Sequence, residues 1–99
     1  MQIINIEGYQ FESDYPLNST SFNEVACVYV ISTGQRWLDV GETDQLGTRL
    51  SNHERKPSWV RCANGLPIYV SVHQEPNLQT RLSIESFLRT RLNPMCGDR

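Results

Sequence analysis

Apolar residues along the chain change their period from one stretch to the next, and the changes mark the elements. "VACVYVI" at 25–31 is an unbroken run of β-branched and aromatic residues, the pattern of a strand buried on both faces. "STGQR" supplies turn chemistry, and "WLDVG" at 37–41 reads as the partner strand of an antiparallel hairpin. Gly41 ends that strand, where a backbone without a Cβ permits a sharp exit or a close approach. "ETDQLGTRLSNHERK" at 42–56 then reads as a helix. Thr43 or Asp44 can cap it, Leu46 and Leu50 form an i,i+4 apolar pair, and Arg49 and His53 form a second pair on a neighbouring face. Pro57 stops this helix, "SWVRCA" makes a short helical turn, and "NGLP" is a loop. "IYVSV" is a third strand, and a last helix opens at Pro76 or Asn77 and halts at Asn93-Pro94. Residues 1–24 scatter their apolar side chains among turn formers, which predicts a short strand near Ile3–Ile6 and an irregular segment after it.

The last helix carries the sharpest sequence signal. At about 100° per residue, Leu78, Leu82, Leu88 and Leu92 fall within an arc roughly 120° wide, and Glu85 projects into that arc. A carboxylate on a core-facing stripe is expensive to desolvate unless something positive or hydrogen-bonding meets it. Two readings stand side by side: an intrahelical pair with Arg81 or Arg89, or an inward ligand for a metal ion.

Composition narrows the class. Ninety-nine residues, 38% hydrophobic and 20% charged, predict one small globular domain over 1–99 rather than a disordered chain. No apolar run approaches the roughly 20 residues that span a bilayer, and "MQIINIEGYQFESDYPL" is not a secretory signal, so the expectation is a cytoplasmic protein with no membrane partner. Cys27, Cys62 and Cys96 are an odd, widely spaced set, expected to be reduced thiols. A zinc site with His53 or His73 lacks the close ligand pairs such sites use. The net charge is −2, so the chain does not announce nucleic-acid binding by bulk charge. Yet Arg49, Arg55, Lys56 and Arg61 cluster within thirteen residues against Glu54 alone, which allows a local basic face. Trp37 and Trp59 suit core or edge packing better than base stacking.

The order of these elements, with a Tyr in the first strand, a Gly closing the second, Arg and His downstream and an inward Glu late, resembles the GIY-YIG nuclease domain over residues 26–97. "CVY" at 27–29 is similar to the first signature triplet, with Cys27 at its Gly position. "DVG" at 39–41 is similar to the second, with Asp39 in place of its Tyr. Arg49 lies eight residues past Gly41, with His53 four beyond, and "SIESFLRTRLNP" resembles the family's final helix, its Glu followed nine residues later by Pro94.

The resemblance implies an α/β domain with a small central three-stranded antiparallel sheet flanked by helices. It also implies hydrolysis of DNA phosphodiester bonds with one divalent cation, Mg²⁺ or Mn²⁺. In that scheme Glu85 is the metal ligand and Arg49 holds the scissile phosphate. Tyr29 is the general base or orients the water, its pKa lowered by a nearby cation, and His53 assists proton transfer. Asp39 departs from the pattern: it could serve as a second oxygen ligand or as a base, or mark a site that has lost hydrolysis. The family's late Asn would fall near Gly97, with Asn93 close but out of register. The expected partner is DNA, with a protein partner or a homo-oligomer supplying specificity. The alternative function is a catalytically impaired module that binds nucleic acid or protein.

Overall fold

A computed structural model of the chain describes residues 2–96; the Gly97 position lies outside the described residues. The elements run β1 (Gln2–Ile6), β2 (Tyr9–Pro16), β3 (Cys27–Ser32), β4 (Trp37–Thr43), α1 (Leu46–Ser51), α2 (Lys56–Ala63), β5 (Tyr69–Gln74) and α3 (Leu78–Leu92). The strands form one antiparallel sheet in the order β1-β2-β5-β3-β4.

The expected three-stranded sheet is therefore a five-stranded one. The three strands predicted at 25–72 sit together as β5-β3-β4, and an N-terminal hairpin extends them through pairing of β2 with β5. Turn formers in "SDYP" hide β2 in the sequence. The structure accommodates them with a register shift between Glu12 and Tyr15 and with Pro16 at the strand's last position. Phe11 and Ser13 point inward, which gives the strand its buried face.

Helices cover both faces of the sheet. Tyr29, Ile31, Leu38, Val70 and Val72 pack with Leu46 and Leu50 of α1 and Trp59 and Ala63 of α2. Val28, Val30, Val40 and Phe11 pack with Ile84 and Leu88 of α3 on the other side. This is why "VACVYVI" shows no alternation: every residue of β3 is buried.

Three helical expectations change. The helix predicted over 42–56 is only Leu46–Ser51, because Thr43 still belongs to β4 and its Oγ1 accepts the Gln45 N–H that leads into the helix. His53 lies beyond the helix, in the turn before α2. Pro57 does not end a helix but begins one, at a first-turn position where a missing N–H costs nothing. In α3, capped by the Asn77 side chain accepting the Thr80 N–H, the buried stripe is Arg81, Ile84 and Leu88, while Leu78 and Leu82 are 50% and 40% exposed. No helix of the described residues is long and apolar enough to cross a membrane.

Strand β4 is the sheet edge, and the chain end closes on it: Met95 and Cys96 donate their N–H groups to the carbonyls of Trp37 and Leu38. Cys62 of α2 and Cys96 are joined as a disulfide with their Cα atoms 6.5 Å apart, so they are not the reduced pair the cysteine count suggested. Docking of the tail brings together two thiols that are 34 residues apart, which spacing alone does not reveal. Cys27 is free and buried, and burial pushes its thiol up to about 12. Thiol titration of the denatured, unreduced protein should therefore return one reactive group per chain. Three would show that the α2–tail link is absent.

Candidate functional site

Tyr29 stands in the middle of β3, directly opposite Gly41 of β4. Its ring lies across the glycine: a Cβ on Gly41 would sit 2.3 Å from Oη and 2.4 Å from Cζ. Gly41 is needed for this packing, and it sends the phenol toward α1 and the turn after it.

There the phenol meets the two residues predicted for it. His53 Nε2 lies 2.8 Å from Tyr29 Oη, and Arg49 Nε donates to the same oxygen over a longer 3.5 Å. The backbone N–H of Arg55 donates to His53 Nδ1 at 3.1 Å. Because Nδ1 accepts, the neutral imidazole carries its proton on Nε2 and donates to Tyr29. The ring packs on Trp59, centroids 4.5 Å apart. Burial, with the charges of Arg49 and Arg55, lowers the His53 pKa to about 4. Tyr29 differs from the expectation of a cation-lowered phenol. Burial raises its pKa above the usual 10, and Arg49 offsets only part of that.

Asp39 belongs to the same face of the sheet, opposite Ile31, and is fully buried. Its Oδ1 accepts from the Val40 N–H at 2.8 Å and from Arg89 Nη2 at 3.3 Å. Its Oδ2 accepts from Arg55 Nε at 2.7 Å and from Trp59 Nε1 at 2.9 Å. A carboxylate offers about four lone-pair sites, so these donors fill it. Asp39 has no lone pair left for a metal ion while its arginines stay in place.

Glu85 faces neither a pure core nor open solvent. It is half-buried, its Oε2 is 3.8 Å from Arg89 Nε, and Arg81, its other candidate partner, pairs instead with Glu42 at 2.9 Å. Burial raises the Glu85 pKa against the pull of Arg89, and the charges of Asp39 and Arg55 act on it as they do on Tyr29.

The predicted residues thus lie on one connected network. It runs from Arg49 through Tyr29 and His53 to Arg55, and from there through Asp39 and Arg89 to Glu85. Arg55, Trp59 and Arg89 are the links that sequence reasoning did not place in the site. The basic cluster around Arg55 was the visible signal for the first and the i,i+4 spacing to Glu85 for Arg89, whereas Trp59 had none beyond its position. Solvent access is uneven: Arg49 is exposed, Arg55 and Glu85 are half-buried, and Tyr29 and Asp39 are enclosed. Among the described residues, no group of three or more His, Cys, Asp or Glu side chains is placed to hold a metal ion.

No family model, no curated protein and no solved structure matches this chain.

Two measurements probe the site's packing and charge. Gly41→Ala should destabilise the fold by roughly 1–3 kcal/mol in urea unfolding, and Tyr29→Phe should not rescue it, because the ring carbon is as close as the oxygen. His53 takes up a proton near pH 6.5 in the unfolded chain but only near 4 in the folded one. Its stabilising contribution is therefore complete above that window and is lost as pH falls through it, by up to roughly 2–3 kcal/mol. Urea midpoints across the window should show this slope in the wild type and a shallower one in His53→Asn.

Proposed function

We propose that this chain is a metal-dependent nuclease acting on DNA phosphodiester bonds in the manner the GIY-YIG resemblance implies. The observation that supports it is the hydrogen-bonded group of Tyr29, His53 and exposed Arg49 at the β4 side of the sheet, connected through Asp39 to Glu85.

Arg49 touches Tyr29 through Nε, so its terminal nitrogens are the ones offered to a phosphate as a planar, charge-assisted fork. Tyr29 Oη receives a proton donor from His53 and another from Arg49, which leaves its own O–H to direct toward an incoming water or phosphate oxygen. As a neutral phenol it orients the water; as a phenolate it accepts the water's proton. The raised pKa makes the second form scarce at neutral pH. His53 holds Tyr29 in place, since both ring nitrogens are engaged.

Of the nearby carboxylates, Asp39 is saturated and Glu42 is held by Arg81, whereas Glu85 is only loosely paired and partly open to solvent. One such carboxylate, with substrate oxygens and water, suits a hard divalent cation, and Glu85 would hold Mg²⁺ or Mn²⁺. A cation bound there supplies countercharge to the phosphate and the departing oxygen.

A second reading, a module that binds a phosphate backbone without cutting it, draws support from the complete enclosure of the Tyr29 hydroxyl. Plasmid nicking with Mg²⁺ or Mn²⁺ separates the two. The nuclease should nick, faster as pH rises into the alkaline range, with Glu85→Ala and Arg49→Ala each slowing it by on the order of 100-fold or more. Equal background in all three proteins, with salt-dependent DNA retention, would leave only the binding module.

A further inference from the structure

Arg55 is held in an unusual way for a counterion. Its Nε alone meets Asp39, at 2.7 Å, and among the described residues it makes no other side-chain hydrogen bond. The carboxylate that holds it is itself fixed by the Val40 N–H and by Trp59 Nε1 at 2.9 Å, so the direction of the guanidinium is set by buried groups. The side chain is partly exposed, unlike Asp39, and the residue also carries the backbone N–H that fixes the His53 ring. Arg49 and Arg55 thus flank one buried Tyr29–His53 pair, one held by the phenol and the other by the carboxylate.

We propose that Arg55 is a second contact to the sugar-phosphate backbone of DNA, beside Arg49, and that Asp39 is the positioning residue that aims it. This rests on the nucleic-acid reading of the site given above, but not on hydrolysis. Asp39, at the position of a signature tyrosine in the resemblance, here orients a cation instead of a water. A guanidinium tethered at Nε keeps its two terminal nitrogens in a fork that matches two phosphate oxygens, and the tether removes rotamer freedom that binding would otherwise have to restrict.

A plain charge argument gives the opposite sign for one variant, which makes the proposal testable. Removing the Asp39 charge leaves the face more positive and on that ground should strengthen DNA binding. If Asp39 aims Arg55, Asp39→Asn should weaken it, because an amide oxygen cannot hold both arginines and an amide N–H meets the Trp59 donor head-on.

The experiment is fluorescence anisotropy of a labelled short duplex with the full chain, Ca²⁺ replacing Mg²⁺, over a series of salt concentrations. Thermal melts confirm that each variant is folded. Arg55→Gln should bind about tenfold more weakly and lower the slope of log affinity against log salt by about 1. Asp39→Asn should weaken binding by a similar factor in the wild type, yet have no further effect in the Arg55→Gln background. A merely structural role for Asp39 would make the two effects multiply. Unchanged affinity in Arg55→Gln, multiplied effects in the double variant, or tighter binding by Asp39→Asn would each overturn the proposal while leaving the nuclease reading intact. Wild type that binds but never nicks would sink hydrolysis and leave this contact standing, and wild type that binds no DNA would end both.

Discussion

A carboxylate with no solvent access and four donors around it sets the geometry of the β4 side of this molecule. Asp39 cannot shed its charge into water, so its stability rests on Arg55, Arg89, Trp59 and the Val40 N–H arriving together. Those donors come from α2, the turn before it, β4 and α3, elements from both sides of the sheet. Taking away any one leaves a buried charge partly uncompensated, so the hub constrains where each of them can sit.

The rest of the site hangs from that constraint. Trp59 is held by Asp39 and packs on the His53 ring; Arg55 is held by Asp39 and fixes the His53 tautomer through its backbone. Tyr29 is then met by a histidine whose donor nitrogen has no freedom to turn. On the other flank, Arg89 reaches both Asp39, at 3.3 Å, and Glu85, at a looser 3.8 Å, and the Glu85 carboxylate stays partly open.

Much of the central fold could be read from the chain. The hairpin of β3 and β4, strand β5 and the bounds of α3 follow from runs of β-branched residues and from the Asn77 cap. Of the N-terminal hairpin, β1 was legible as the short strand near Ile3–Ile6, but β2 was not, since Ser13, Asp14 and Pro16 read as turn formers until a bulge and a strand end absorb them. The split of the second helical stretch was hidden as well, because a proline inside an apparent helix looks like its end and can equally be the start of the next. Tyr29, Arg49 and His53 were legible as a set only through the GIY-YIG resemblance, and the hydrogen bonds among them join the same three residues. Asp39 was legible as an oddity but not as a hub, since its partners lie 16, 20 and 50 residues away.

Charge gives the network a direction that bulk composition conceals. Arg55 and Arg89 meet Asp39, Arg81 meets Glu42, Arg89 also reaches Glu85, and exposed Arg49 meets the Tyr29 hydroxyl, on a chain whose net charge is −2. On the nucleic-acid reading proposed above, an anionic strand would be repelled by the net charge and attracted by the arginines at this edge. Within that place both titratable rings are neutral near pH 7, since His53 has lost its affinity for a proton and burial keeps Tyr29 protonated. On the reading proposed above, a phosphate would meet neutral N–H and O–H donors of the two rings beside Arg49 and Arg55. On that reading, binding would use the fold at rest, whereas removal of a proton from water by Tyr29 would require the phenol to ionise against the burial that holds its proton in place.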